Sequence, residues 1–99
     1  MKLTDRVALI TGGGTGIGKG IARALLNEGA RLMLAQRRLS VVQETARQLD
    51  PTGMRVQARA CDVSSRQQVQ QLVKETLIQF GQIDILVNNA AITGMPALT

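Results

Sequence analysis

The chain of 99 residues contains no histidine, no tryptophan and no tyrosine, and its single aromatic residue is Phe80. Without aromatic platforms the bases of a single-stranded nucleic acid have nothing to stack on. The net charge of +5 does not restore that partner, because the twelve basic residues are scattered from Lys2 to Lys74 and the one adjacent pair is Arg37-Arg38. No basic stripe of the kind that follows a phosphate backbone forms, so no nucleic acid is expected. One cysteine, Cys61, excludes an internal disulfide, and with no histidine beside it no metal cluster can be assembled. A reducing, cytoplasmic compartment is the expectation. The start, Met1-Lys2-Leu3-Thr4-Asp5-Arg6, places an acid where a signal peptide needs an apolar run. No apolar stretch approaches the roughly 18 residues of a membrane span, so no membrane partner is expected either.

Apolar residues make up 44% of the chain and charged ones 19%, a balance that fits a globular fold. At this length the expectation is one domain over residues 1–99 with one marginal core. Four short apolar runs read as strands: Arg6–Thr11, Arg31–Ala35, Arg55–Cys61 and Ile83–Asn88. Between them lie three helical stretches. The first, Ile17–Glu28, carries a stripe of Ile17, Ile21, Ala24 and Leu25 and is closed by Gly29. The second runs from about Ser40 to Leu49, with Ser40 and Gln43 spaced as a capping box, and ends in the turn Asp50-Pro51-Thr52-Gly53. In the third, Val69, Leu72, Val73, Thr76, Leu77 and Phe80 recur at helical spacing, Ser65 with Gln68 can cap the start, and Gly81 stops it. Alternating strands and helices mean βαβ units with right-handed crossovers. The expected fold is α/β, a doubly wound Rossmann-type parallel sheet of strand order 3-2-1-4, with a ligand crevice at the strands' carboxyl ends.

Directly after the first strand comes Thr11-Gly12-Gly13-Gly14-Thr15-Gly16-Ile17-Gly18-Lys19-Gly20, six glycines within nine residues. Glycines let a backbone turn tightly and approach a phosphate, and the free N–H groups at a helix start favour an anion. Close helix-to-strand contact also asks for glycine, but not for this many. A P-loop would need Ser or Thr after Lys19 to bind magnesium, and Gly20 stands there. The fingerprint G-x-G-x-x-G is not matched in any register.

The spacing Thr11-Gly12-x-x-x-Gly16-Ile17-Gly18 resembles the T-G-x-x-x-G-x-G motif of the short-chain dehydrogenase/reductase family. Asp62-Val63 after the third strand looks like that family's D-V pair, and Asn88-Asn89-Ala90-Ala91 is similar to its N-N-A-G, with Ala91 in place of glycine. The resemblance implies cofactor contacts from Gly12, Gly14, Thr15, Gly16, Ile17 and Gly18 to the pyrophosphate, and from Asp62 and Val63 to the adenine. It also places Asn89 and Ala90 beside a ribose and has Asn88 bonding to neighbouring strands. Asp62 could also act as a capping acid before Ser64-Ser65, a lesser reading that is compatible with the adenine contact. After the second strand Gln36 occupies the position of the acid that takes the ribose hydroxyls of NAD, followed by Arg37 and Arg38. With no carboxylate to repel a 2′-phosphate and guanidinium forks to hold it, NADP(H) is preferred and NAD(H) is possible. The family's second basic site within the glycine loop is Thr15 here.

The resemblance further implies an oxidoreductase that moves hydride between nicotinamide and a small carbonyl or alcohol substrate, using a serine, a tyrosine and a lysine. Tyrosine is absent from this sequence, so no catalytic residue is assigned. The chain reaches Thr99 just past the fourth strand, where the catalytic half of the family would begin. It therefore reads as the N-terminal cofactor-binding part of a longer protein, a homo-oligomer when complete. Ile83–Val87 reads as a strand meant to be covered on both faces and paired on both sides. Two alternatives stand beside this reading: a non-catalytic NADP(H)-binding or regulatory module, and a P-loop-like nucleotide-binding protein.

Overall fold

A computed structural model describes residues 1–89. It has four strands, β1 (Val7–Thr11), β2 (Arg31–Gln36), β3 (Val56–Ala60) and β4 (Ile85–Asn88), alternating with three helices, α1 (Gly16–Asn27), α2 (Leu39–Leu49) and α3 (Arg66–Phe80). The strands form one parallel sheet in the order β3-β2-β1-β4, which is the expected doubly wound arrangement. Its register sets Ala8 opposite Leu32 and Ile85, and Leu32 opposite Val56.

Strand alternation sends successive side chains of the central strands to opposite faces, and each face is covered by helix. On one side Ala8, Ile10, Leu32, Leu34 and Val56 meet Ala22 of α1 and Val42 and Ala46 of α2. On the other Val7, Leu9, Met33 and Ala35 meet Cys61 and, from α3, Leu72 and Phe80. This two-sided burial is why β1 and β2 are uninterrupted apolar runs rather than alternating ones. β4 differs: Leu86 is 67% exposed, and among the described residues the strand pairs with β1 alone.

Three local expectations are corrected. Ile17 is 61% exposed and Ala24 is also exposed, whereas Gly18 and Ala22 are the buried residues of α1. Ile21 and Leu25 of the expected stripe do pack against the core, but the centre of the contact is made by the smallest residues, which a search for bulky apolar stripes passes over. Ser40 does not cap α2. Only Arg37 and Arg38 separate β2 from α2, so the helix starts at Leu39 with Arg38 as its N-cap and no side-chain capping bond. At α3 the cap is as expected, with Ser65 Oγ accepting from the Gln68 amide at 3.2 Å. The return bond of the box goes elsewhere, since Gln68 Oε1 accepts from the Asp62 amide at 2.8 Å. Gly81 closes α3 with φ +84°, a left-handed conformation that glycine adopts without penalty.

The strands' amino ends are set by carboxylates. Asp84 accepts from the Val7 amide at 2.8 Å, supplying a side-chain acceptor where β1 begins. Asp50 gathers the turn between α2 and β3, accepting from the amides of Thr52 (3.1 Å), Arg55 (2.7 Å) and Val56 (3.3 Å). Burial alone would raise the Asp50 pKa, but these bonds and the Thr52 hydroxyl more than offset it and hold the group below its ordinary value. A carboxylate held down in the folded state contributes stability above its unfolded pKa and loses it as pH falls through the folded one. Asp50→Asn is therefore expected to be less stable than the wild type at pH 7 and pH 5, with the gap closing toward pH 3. Urea unfolding at the three pH values checks it, and a gap that stays constant with pH would rule out the carboxylate's charge as the cause.

Candidate functional site

The turns that leave the four strands at their carboxyl ends converge on one cleft of about 830 Å³. It is lined by Gly12 and Thr15 after β1, Gln36 with Arg37 and Arg38 at the end of β2, Cys61 to Ser64 after β3, and Asn89 after β4. A parallel sheet makes this convergence unavoidable, because every strand delivers its following turn to the same edge.

The loop after β1 turns at Gly12, whose φ of +71° lies in the left-handed region. Its amide donates to Ala35 O at 2.7 Å, and its carbonyl accepts from the Thr15 amide at 3.2 Å. The glycines that follow do different things. A Cβ on Gly18 would stand 2.1 Å from the Gly12 carbonyl oxygen, and one on Gly14 would stand 1.9 Å from Gln36 Oε1. A Cβ on Gly16 would meet nothing within 4 Å. Gly18 thus serves the close approach of α1 to the loop, while the space beside Gly16 is free of protein. Among the described residues, the amides of Gly14, Gly16 and Ile17 have no acceptor. Three free N–H groups at the start of a 12-residue helix, with its dipole behind them, suit an anion.

Thr15, the N-cap of α1, accepts from the Gly18 amide at 3.1 Å and donates to Gly12 O at 2.9 Å. Asn89 donates through Nδ2 to Gly12 O at 3.1 Å and to Thr15 Oγ1 at 2.9 Å. Asn88, its neighbour, accepts from the Thr11 hydroxyl at 3.1 Å and so ties β4 to β1. Among the described residues, two buried acceptors in the cleft region, Gln36 Oε1 and Asn89 Oδ1, have no partner.

On the far wall, Asp62 Oδ1 accepts from the Ser64 hydroxyl at 2.7 Å and the Ser64 amide at 3.0 Å. Those bonds hold its carboxyl below the usual range, and the nearby Arg37 charge acts the same way. The residue therefore does shape the turn before α3, and among the described residues no hydrogen bond reaches its second oxygen. Burial pushes the Cys61 thiol up, with the Asp62 charge adding to it, which favours the protonated sulfur. Arg37 and Arg38 are exposed at the mouth, and neither is in an ion pair among the described residues.

Of the residues singled out in the sequence, Gly12, Thr15, Arg37, Arg38, Asp62, Val63 and Asn89 line the cleft together. Gly14, Gly16 and Ile17 sit on the loop and first turn above it, Gly18 lies buried beneath, and Ala90 falls outside the described residues. Sequence reasoning noted Gln36 only for its missing charge and passed over Cys61 and Ser64 as lining residues. Their signal was positional: each ends, or closely follows, a parallel strand. Among the described residues no cluster could hold a metal ion, and no helix is long and apolar enough to cross a membrane.

Sheet order, glycine turn and cleft position together define a Rossmann-type, dinucleotide-binding class of domain. The model of the short chain dehydrogenase family matches residues 6–99, and the chain belongs to that family. A peroxisomal 2,4-dienoyl-CoA reductase from Danio rerio is 44% identical over 90 residues, covering 90% of this chain and 30% of that protein. The C-domain of a bacterial malonyl-CoA reductase, solved with NADP, superposes with a TM-score of 0.86 at 36% identity, over 94% of this chain and 16% of that one. A short-chain dehydrogenase/reductase from Burkholderia phymatum, solved with NAD, gives 0.80 at 32% identity, over 87% of this chain and 31% of that one. The chain thus spans about a third or less of the length of these proteins.

The division of labour among the glycines is open to test. Gly18→Ala is expected to cost about 1–3 kcal/mol, because the methyl has a backbone carbonyl in its way. Gly16→Val, whose Cβ meets nothing within 4 Å, should leave thermal stability near the wild-type value. Thermal and urea melts of both variants check this, and equal losses would contradict it.

Proposed function

We propose that this chain is the NADP(H)-binding part of a short-chain dehydrogenase/reductase, an oxidoreductase working on a small carbonyl or alcohol substrate. The observation that carries the choice of dinucleotide is the end of β2, where neutral Gln36 leads into Arg37 and Arg38 at the mouth of the cleft. An acid there would compete for ribose hydroxyls and repel a phosphate, whereas two guanidinium groups attract one. Malonyl-CoA reductase was solved with NADP and the Burkholderia protein with NAD, so both dinucleotides occur among the chain's structural neighbours. NAD(H) would still enter, held less tightly.

The other residues fit such a ligand. The free amides of Gly14, Gly16 and Ile17 would receive the pyrophosphate in the protein-free space beside Gly16. The second oxygen of Asp62 would take the adenine amino group with Val63 alongside, and Asn89 and Ala90 would border the ribose. When bound, the nicotinamide supplies hydride transfer. The residues of this chain bind and orient, and the tyrosine that serves the family as acid–base group is not among them. A protonated, buried Cys61 suits a reducing cytoplasm.

Arg37→Asp should lower NADP(H) affinity by roughly 10- to 150-fold, the equivalent of about 1.5–3 kcal/mol for a charge-assisted hydrogen bond, and put NAD(H) ahead. Titration calorimetry with both dinucleotides measures this. Wild-type protein that binds the two equally, together with a variant that changes neither, would sink the assignment.

A further inference from the structure

The hydroxyl of Thr15 is fully committed inside the protein. It donates to Gly12 O at 2.9 Å and accepts from the Gly18 amide at 3.1 Å and Asn89 Nδ2 at 2.9 Å. That exhausts one donor and two lone pairs. The Asn89 amide is spent in the same way, with both of its N–H groups on the loop, one to Thr15 Oγ1 and one to Gly12 O. Because a carbonyl oxygen can only accept, the nitrogen end of this amide must face Gly12, and the orientation is fixed by chemistry. Asn89 is 4% exposed and lies 77 residues along the chain from Gly12.

We propose that Asn89 and Thr15 form a latch that fastens the glycine loop to the end of β4, acting as positioning residues and not as direct contacts to a phosphate. This rests on the loop being the phosphate site. The latch answers a specific hazard. Between β1 and α1 the loop opens with three successive glycines, Gly12 to Gly14, whose peptides flip readily, and a flip at Gly12 would point a carbonyl oxygen, with its negative partial charge, toward the anion. Three donors hold that oxygen in the protein instead: the Thr15 amide, the Thr15 hydroxyl and Asn89 Nδ2. With the oxygen turned inward, the amides of Gly14, Gly16 and Ile17 have no acceptor among the described residues. Releasing the latch leaves the binding groups in place but makes the nucleotide order them, and affinity falls by that amount.

The test uses the full chain with NADP⁺ as the probe in titration calorimetry, paired with amide hydrogen exchange on the ligand-free protein. Thr15→Val and Asn89→Leu should each weaken binding by roughly 10-fold, and Thr15→Ser, which keeps the hydroxyl, should restore it. The double variant Thr15→Val/Asn89→Leu should be no weaker than the worse single variant, because both open one latch. Without nucleotide, the amides of Thr15 and Gly18 should exchange faster in Asn89→Leu. Asn89→Ser takes its place if the leucine variant does not fold. Unchanged exchange and wild-type affinity in the single variants would overturn the latch, as would losses that multiply in the double variant, which mark two independent contacts. If exchange behaves as expected but the wild type does not bind NADP⁺, the latch exists and the phosphate-site reading fails.

Discussion

Everything at the cleft depends on how closely α1 approaches the turn out of β1. The hydrogen on Gly18 stands where a methyl would press against the Gly12 carbonyl, 2.1 Å away. That contact plants the helix start at the edge of the sheet, so the first amides of α1 open into the same space that the other three turns enclose. A helix begun farther out would carry the same dipole but aim it at solvent. Backbone geometry, more than any charged side chain, makes this edge attractive to an anion.

Side chains then add selectivity around that backbone site. Arg37 and Arg38 stand on one wall beside a neutral Gln36, and Asp62 stands on the other with one oxygen occupied by Ser64. The cleft is therefore positive where β2 ends and negative where β3 ends. A dinucleotide is polarised in a matching sense, with phosphate near its adenosine ribose and an exocyclic amine on its adenine. In the proposed function the wall charges meet a phosphate on one side and a neutral amine donor on the other, which is how a member of the short-chain dehydrogenase family would come to prefer one dinucleotide.

Much of this was legible in the sequence because it follows from periodicity and from spacing. The four strands and the order of the sheet come from apolar runs separated by helices, and the third helix, with Ser65 at one end and Gly81 at the other, is written plainly. What escaped was what small residues do. Gly18 and Ala22 form the buried face of α1 although nothing in their side chains announces it, and Ile17 is exposed although it looks like core. Ser40 carried the right chemistry for a cap in the wrong place, since the shortness of the β2–α2 connection is a tertiary fact. Asn89 was legible as a cleft residue, but its bonds to Gly12 and Thr15 span most of the chain and have no local signature.

The central claim is that a dinucleotide lies across the carboxyl edge of the sheet with its phosphates on the loop after β1. An amide-resolved NMR titration of the isotope-labelled chain with NADP⁺ tests it most directly. The account predicts that saturable shifts concentrate at Gly12 to Gly18, at Arg37 and Arg38, and at Asp62 to Ser64, while the amino-terminal ends of the strands stay still. Shifts confined to the exposed side of α3 and β4, or no saturable shift at all, would contradict it.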